Sequence, residues 1–210
     1  MYLKLLTVLT LIITVVFAEN KGSGGDLTSS EIKKKYYDSY ELEKQQRYKE
    51  AMVALSEIIK KYPNGYTVNF RLGWLAYNNG SFADAIKYYN KALTIYPASL
   101  EIMAKKVLVY VAQKKWSTVE EECRKMLRIS YYDGIANYWF SYSLRIQGKY
   151  DEAMKIVLGY ISVYPTSTTM LVELGLLQDA KGDVNSAIGT FQSVEILDPY
   201  NQIAKSYLKK

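Results

Sequence analysis

The chain has 210 residues, of which 49% are hydrophobic, 14% aromatic and 23% charged, the composition of a globular protein with ample apolar material for a core. It has no histidine and one cysteine, which excludes imidazole acid-base catalysis, imidazole zinc ligands, a Ser-His or Cys-His couple and an internal disulfide. The net charge of +6 is mild, so no nucleic acid is expected as a partner, and the unusual count is 21 tyrosines.

The first 18 residues have the pattern of a secretion signal. A single charge, Lys4, precedes an apolar run over 5–17, which is shorter than the roughly 20 residues of a membrane-spanning helix. Short side chains at Val16 and Ala18 favour cleavage after Ala18, so residues 1–18 are predicted to be a signal peptide. The chain is therefore expected to be exported, to a periplasm first of all, and to have no transmembrane span after cleavage. Secretion, a secretory lumen or an uncleaved anchor are the alternatives.

Residues 19–30 are polar and rich in Gly and Ser, and they are predicted to be a flexible leader. Thr28 and Glu31 have the types and spacing of a capping box, so helical structure is expected to start near Thr28. The folded part is predicted to cover 31–210.

This folded part repeats with a period of 34 residues, which all four prolines obey. A small residue recurs twelve positions before each proline position, and an aromatic residue precedes it by three positions in four of five repeats. Glycine stands two positions before the aromatic column in three repeats, and Lys114 takes its place in the third. A period of 34 residues predicts a helical hairpin that is repeated five times. Glycine would end the first helix of a hairpin in a left-handed conformation, and proline would end the second because it has no backbone N–H. The columns are Pro63, Pro97, Pro165 and Pro199; Ala51, Ala85, Val119, Ala153 and Ala187; Tyr48, Phe82, Trp116, Tyr150 and Val184; and Gly80, Gly148 and Gly182.

Packing is predicted from the same columns. Small residues in the columns of Gly73 and Ala85 would let paired helices approach closely, while larger residues fill the neighbouring gaps. Cys123 shares a column with Leu55, Tyr89, Val157 and Phe191, which predicts a small buried core residue. Tyr48, Tyr89 and Tyr150 are likewise assigned to packing.

These columns resemble the tetratricopeptide repeat (TPR) family. The best match is 66–99, where Leu72-Gly73, Gly80-Ser81-Phe82, Asp84-Ala85, Tyr88-Tyr89, Ala92-Leu93 and Pro97 stand at the family's spacing. The resemblance implies an all-α fold: a right-handed α-solenoid of five helix-turn-helix repeats with a short C-terminal capping helix. The repeats would be 32–65, 66–99, 100–133, 134–167 and 168–201, with the capping helix at 202–210.

Some positions depart from the family pattern. The early Trp of the first helix is missing from every repeat, and repeat one is polar at Asp38-Ser39 where Leu-Gly is usual. Repeat three has Val119 for Ala and Tyr131 for Pro. The polar first repeat is consistent with the end of a solenoid.

The family resemblance also implies a binding site. First helices of such solenoids line a concave groove that binds an extended peptide or a partner's helix. Aromatic rings offer large contact areas and are enriched among binding hot spots. The alternative is that several of these rings only pack between helices. The predicted partner-binding groove consists of Tyr36, Tyr40, Phe70, Trp74, Tyr77, Leu108, Tyr138 and Tyr142.

No catalytic motif is present in the sequence. The acidic residues are expected at solvent-facing positions, as in the i,i+4 pairs Glu120 with Arg124 and Glu121 with Lys125 on an exposed helix. The chain is therefore predicted not to be an enzyme and to need no cofactor or metal. The leading hypothesis is an exported scaffold that binds a protein or peptide ligand in an envelope assembly. The alternative is a structural module that self-associates into a homo-oligomer.

Overall fold

The structure, a computed structural model, describes residues 27–209, and its regular secondary structure in that range is entirely α-helical. The chain divides into two compact units, the first ending at Lys91 and the second beginning at Ala92. The predicted signal peptide, 1–18, and most of the predicted leader, 19–30, lie outside the described residues. Over 27–209, no helix is long and apolar enough to cross a membrane.

The first unit consists of two helical hairpins over the described residues 27–91. The second helix of its first hairpin is interrupted at Leu55, so it forms two short pieces. A core of buried aliphatic residues, including Leu55 and Leu72, lies between these helices. The helices are α1 Ser29–Lys44, α2 Tyr48–Ala54, α3 Ser56–Lys61, α4 Tyr66–Asn78 and α5 Phe82–Ile95, the last of which contains the boundary between the units.

The second unit continues with antiparallel hairpins and a final short helix. Each of its helices packs against the next one along the chain. Its buried residues form a large cluster around Cys123 and Phe140 and a smaller one around Phe191. The helices are α6 Leu100–Ala112, α7 Trp116–Ile129, α8 Gly134–Ile146, α9 Tyr150–Ile161, α10 Thr168–Ala180, α11 Val184–Leu197 and α12 Gln202–Leu208.

Helix starts follow the local sequence. The Thr28 hydroxyl accepts from the Glu31 backbone N–H at 3.2 Å, and the Glu31 carboxylate accepts from the Thr28 N–H at 2.7 Å, so the predicted capping box is confirmed. Helix α1 consequently begins at Ser29, two residues before the predicted start of the folded part at residue 31. Asp133 caps α8 and Asn201 caps α12 by accepting a hydrogen bond from the backbone N–H three residues on.

One backbone conformation recurs at the predicted 34-residue period. The residue two positions after the end of each first helix has a positive φ, whether or not it is glycine. The missing glycine at position 114 therefore does not remove the turn, because Lys114 adopts φ 56°. The five positions are Gln46, Gly80, Lys114, Gly148 and Gly182.

The small-residue column permits the expected close approach of paired helices. A Cβ added at Gly73 would lie 2.5 Å from the ring of Tyr89, and one added at Gly175 would lie 2.8 Å from the ring of Phe191. Each large ring therefore packs directly on a glycine backbone. Cys123 is fully buried, as predicted, and burial raises the pKa of its thiol to about 12.

The expectation that acidic residues face solvent is wrong for three carboxylates of the second unit. Glu120, Glu122 and Glu173 are all buried. Each has partners outside its own helix: Glu120 accepts from Gln147 and Lys149 in the turn between α8 and α9, Glu122 lies 3.3 Å from Lys106 on α6, and Glu173 accepts from Arg145 on α8. Buried carboxylates persist when they are paired and hydrogen-bonded in this way. Both predicted same-helix pairs form, Glu121 with Lys125 at 2.7 Å and Glu120 with Arg124 at 3.9 Å.

Candidate functional site

The eight predicted groove residues divide between the two units. Tyr36 and Tyr40 lie on α1, and Phe70, Trp74 and Tyr77 lie on α4, all in the first unit. Leu108 on α6 and the pair Tyr138 and Tyr142 on α8 lie in the second unit. Helical spacing accounts for each set, because residues three or four apart share one helix face.

A buried arginine organises the first set. Arg71 donates to the Ser39 hydroxyl from Nε at 3.3 Å and from Nη2 at 3.1 Å, and its Nη1 donates to Glu43. Its guanidinium also lies 3.8 Å from the centre of the Tyr40 ring, a cation–π contact. Ser39 departs from the family pattern because its buried hydroxyl accepts the hydrogen bonds of Arg71.

The same network fixes Trp74. The indole Nε1 donates to Glu43 at 2.5 Å, so one carboxylate holds both Arg71 and Trp74. The Trp74 ring lies 5.9 Å from the Tyr77 ring, which in turn lies 6.1 Å from Phe82. Trp74 and Tyr77 are half-buried. The first unit thus presents a partly exposed aromatic surface. Its central ring, Trp74, is held in place by the hydrogen bond to Glu43.

Two residues of the first set serve mainly in packing. Tyr36 packs against the core of the first unit, and burial raises the pKa of its hydroxyl well above its usual range. Phe70 lies 6.4 Å from the ring of Tyr89. The alternative assignment to packing between helices therefore fits these two rings better than Tyr40, which is 50% exposed.

A polar atom without a partner lies next to this set. The Tyr89 hydroxyl is buried, and within the described residues it makes no hydrogen bond. Burial raises the pKa of this hydroxyl above its usual range. Phe191, which has no hydroxyl, packs on Gly175 as Tyr89 packs on Gly73, so the ring rather than the hydroxyl fits this column.

The second set is the centre of an aromatic cluster. Tyr142 lies 6.0 Å from Tyr138, 5.3 Å from Trp139 and 5.8 Å from Trp116, measured between ring centres. The Arg145 guanidinium lies 5.1 Å from the Tyr142 ring and is held by Glu173. Edge-to-face and tilted ring pairs at these distances are favourable.

The groove assignment from sequence omitted two members of this cluster. Trp139 follows Tyr138 directly and precedes Tyr142 by three residues, a helical spacing that could have included it. Trp116 belongs to the aromatic column of the repeats but lies on α7, opposite the first helix. Leu108 is half-buried on α6 and adds an aliphatic side chain.

The polar contacts that join neighbouring first helices recur at one register. Arg71 donates to Glu43 in the first unit, while Arg145 donates to Glu173 in the second, and each pair is 28 residues apart. The Tyr207 hydroxyl donates to Asp179 at 2.6 Å across the same 28-residue separation. The same pair of positions on neighbouring first helices therefore holds Glu43 with Arg71 in the first unit and Arg145 with Glu173, in the reverse order, in the second. At the C-terminal end it holds the hydrogen bond between Asp179 and Tyr207.

No group of three or more Cys, Asp or Glu residues within 27–209 is arranged to hold a metal ion. Arg71 and Arg145 are both engaged by carboxylates, so neither presents a bare guanidinium to an anionic ligand. What the two sets offer chemically is aromatic and apolar contact area.

Comparisons with known proteins agree with this fold. The family model described as tetratricopeptide repeat matches residues 39–99. No curated protein matches the sequence significantly. Among solved structures, MamA residues 41 to the end from Desulfovibrio magneticus RS-1 is similar, at 17% identity and a TM-score of 0.69 over 86% of this chain and 99% of that one.

A second similar structure is YrrB, which is described as a TPR protein with an unusual peptide-binding site. It is 14% identical, with a TM-score of 0.63 over 84% of this chain and 91% of YrrB. At these identities the likeness concerns the fold. The family model identifies tetratricopeptide repeats over residues 39–99, and the recurring helical hairpins and the similar structures show a fold of the tetratricopeptide repeat type over the described residues.

Proposed function

We propose that the chain is a non-enzymatic protein-interaction scaffold that binds a peptide or a partner's helix on the first-helix surface around Trp74. The single observation that carries this proposal is the hydrogen bond from Trp74 Nε1 to Glu43, which orients a half-buried indole before any ligand arrives. A ring that is already ordered loses little rotamer freedom on binding, which favours affinity. YrrB, a protein of the same fold, has a peptide-binding site according to its description.

The chemistry of this surface favours an apolar or aromatic ligand segment. Tyr40 is 50% exposed and Trp74 and Tyr77 are half-buried, so ring faces are available for contact. Arg71 is buried and paired, so capture of a ligand carboxylate by its guanidinium is disfavoured. Trp and Tyr dominate binding energetics at protein interfaces when they sit in such positions.

The second unit offers a separate aromatic surface around Tyr142. Its rings and the guanidinium of Arg145 form one cluster, and Ile135 and Ile146 of the same helix are exposed. We include this cluster in the proposed interaction surface because aromatic and Arg side chains together are typical of hot spots.

The test is recovery of partners from an envelope extract by the tagged protein. Wild type should recover one or a few partners, and the double variant Trp74→Ala, Tyr142→Ala should lose them while it melts cooperatively. A matched control is the double variant Tyr96→Ala, Tyr164→Ala, which removes two exposed tyrosines outside the predicted groove and should keep the partners. If the Trp74→Ala, Tyr142→Ala variant keeps every partner, the proposal fails.

We further propose that the chain acts outside the cytoplasm, most favourably in a periplasm, since residues 1–18 have the pattern of a signal peptide. Secretion from the cell and a secretory lumen are the alternatives. Mass spectrometry of the protein isolated from its source should find Glu19 as the first residue. An N-terminus at Met1 in most molecules would contradict cleavage.

A further inference from the structure

Two exposed tyrosines stand in the turn between α7 and α8, where the third repeat ends. Tyr131 is 69% exposed and occupies the position at which the other four repeats have proline, and Tyr132 beside it is 41% exposed. The two rings are in contact, with their centres 4.9 Å apart. The turn does not itself require these rings, because the equivalent turn of the first repeat is formed with Pro63 and Asn64.

The pair continues into a row of four neighbouring tyrosines, 131, 132, 164 and 160, which we call the tyrosine row. The ring of Tyr132 lies 6.0 Å from that of Tyr164, and the ring of Tyr164 lies 4.9 Å from that of Tyr160 on α9, measured between ring centres. Tyr164 is exposed as well. Ring contacts thus join two turns of the second unit into one aromatic surface, and a contiguous exposed surface of this kind indicates a contact site.

Two clefts open between the rings of the tyrosine row. The planes of Tyr131 and Tyr132 are 88° apart, and those of Tyr132 and Tyr164 are 80° apart. In an edge-to-face pair the edge of one ring meets the face of the other, so the exposed sides of the two rings form a right-angled corner. A compact saturated ring fits such a corner, because it contacts both aromatic rings at once.

The tyrosine row offers hydrogen-bond donors and almost no charge. The hydroxyls of Tyr131, Tyr132 and Tyr164 make no hydrogen bond within residues 27–209, so each can donate to a ligand. The segments 129–135 and 160–169, which contain the row, have one charged residue, Asp133. This composition favours an uncharged ligand that carries hydrogen-bond acceptors.

The polar side chains next to the exposed pair are already engaged. Asp133 accepts from the backbone N–H of Ala136 at 2.8 Å, and the buried Asn137 donates to the carbonyls of Tyr131 and Asp133 at 3.0 and 2.9 Å. These hydrogen bonds fix the turn and order its two tyrosines before a ligand binds, which lowers the entropic cost of binding. They also commit the Asp133 carboxylate to capping α8, so the tyrosine hydroxyls are the main polar groups that a ligand meets.

A proline-rich segment in the polyproline II conformation meets these requirements. Proline has no backbone N–H, so such a segment offers carbonyl acceptors and no main-chain donors. Its pyrrolidine rings are compact and uncharged, and one helical turn of about 9 Å corresponds to about two steps along the tyrosine row. Aromatic surfaces bind this helix well because it is ordered before it binds. A neutral oligosaccharide fits less well, since its many hydroxyls donate as well as accept.

We propose that the tyrosine row binds a proline-rich segment of a partner protein, with proline rings in the two clefts and carbonyls that accept hydrogen bonds from the tyrosine hydroxyls. This surface goes beyond the proposed function, because it uses neither Trp74 nor Tyr142. The two surfaces can therefore be tested independently.

The test is isothermal titration calorimetry of the full chain with decaproline as the probe and a Gly-Ser peptide of the same length as the control ligand. Wild type should bind decaproline and not the Gly-Ser peptide. Tyr131→Ala, Tyr132→Ala should lose this binding, because both clefts lose a wall. Tyr131→Phe, Tyr132→Phe keeps the rings and removes two donors, so its affinity should fall by about tenfold.

The matched control is Tyr37→Ala, Tyr200→Ala, which removes two exposed tyrosines outside the row and should bind decaproline as wild type does. Tyr164→Ala removes one wall of the second cleft only, so it should weaken binding without abolishing it. The replaced side chains of the row are exposed, so folding should be retained, and the melting temperature verifies this. Trp74→Ala, Tyr142→Ala should bind decaproline normally, so failure of this surface and failure of the proposed function are distinguishable.

The proposal is overturned if wild type does not bind decaproline, or if Tyr131→Ala, Tyr132→Ala binds it as tightly as wild type does. Binding of chitohexaose at these tyrosines in place of decaproline would overturn it too, since the row would then be a glycan site. A dimer mass in light scattering that falls to the monomer mass in Tyr131→Ala, Tyr132→Ala would have the same consequence, because a second copy would then cover the row.

Discussion

Arg145 donates two hydrogen bonds to Glu173, of 2.7 and 3.1 Å, and this pair reproduces the Arg71–Glu43 pair with the two charges exchanged. The members of each pair are 28 residues apart, and the two pairs are separated by three 34-residue periods. The repeat therefore preserves an interaction between first helices even where it does not preserve the residue types.

Removing one partner of the Arg145–Glu173 pair should be strongly destabilising. Arg145→Ala leaves Glu173, whose side chain is 2% exposed, buried without its cation, and should lower the free energy of unfolding by about 3–5 kcal/mol. The exchanged pair Arg145→Glu, Glu173→Arg should recover more than half of this loss, because it copies the polarity of the first unit. Urea denaturation measures both effects.

The exposed pair Lys181 with Asp151 is the control for this series, and Lys181→Ala should change stability by less than about 1 kcal/mol. If the exchanged double variant is no more stable than Arg145→Ala, the two orders of the ion pair are not interchangeable at this position.

Gly175 should tolerate no side chain. An added Cβ would lie 2.8 Å from the ring of Phe191, so Gly175→Ala should destabilise the fold by about 1–3 kcal/mol through overpacking. Gly189→Ala is the matched control in the adjacent helix, where a Cβ meets nothing within 4 Å, and it should stabilise by about 0.5–1 kcal/mol. Equal effects of the two substitutions in thermal unfolding would contradict the packing described for this column.

The Tyr89 hydroxyl should contribute nothing to stability. It is buried without a hydrogen-bond partner, so Tyr89→Phe should leave the free energy of unfolding unchanged or raise it by up to about 1–2 kcal/mol. Tyr207→Phe is the contrasting variant, because it loses a 2.6 Å hydrogen bond to Asp179 and should be less stable than wild type. A marked loss of stability in Tyr89→Phe would mean that the hydroxyl has a partner in solution.

The turn at Lys114 should be improved by glycine. Its φ of 56° lies in the left-handed region, where a side chain is unfavourable by about 1–2 kcal/mol. Lys114→Gly should therefore stabilise by up to about 1 kcal/mol, after allowance for the greater entropy of the unfolded glycine. Gly148→Ala, at the equivalent position with φ 75°, should destabilise by about 1 kcal/mol. Chemical denaturation of the two variants should give opposite signs, and matching signs would contradict the assignment.

Alkaline pH should weaken the fold partly through Tyr36. Burial raises the pKa of the Tyr36 hydroxyl above its ordinary value of 10.0, so the unfolded chain loses this proton at a lower pH than the folded chain. The contribution to stability is therefore complete below about pH 10 and is lost as the pH rises further. Tyr36→Phe should flatten this decline in urea unfolding between about pH 9 and pH 11. A steeper decline in the variant would contradict the burial of this hydroxyl.

Much of the fold follows from the period of the sequence. The glycines at three of the five turns, the capping box at Thr28 and the small residue opposite Tyr89 are local features, and each has the predicted structure. The turns at Gln46 and Lys114 could not be recognised from residue type, since their conformation is imposed by the helices on either side.

The interactions between repeats were the part that the sequence did not reveal. Glu120 and Glu173 resemble solvent-facing residues because their partners stand 27–29 residues away rather than on the same helix. The resemblance to the repeat family gave the groove position of Trp74, but its hydrogen bond to Glu43 depends on the packing of two first helices. The sequence also left open whether Tyr36 packs in the core or contacts a partner, and its packing against the core of the first unit favours the core.

The most direct test of the central claim is photocrosslinking in intact source cells, with a photoreactive residue at Tyr77, beside Trp74, and at the exposed Lys87 of α5 as the control. The proposed function predicts a discrete crosslinked partner at position 77, weak or no product at position 87, and loss of the product when Trp74→Ala is added. Trp74→Phe should retain part of it, because the ring remains. The same crosslinked product with and without Trp74→Ala, or no product at position 77, would contradict a binding surface around Trp74.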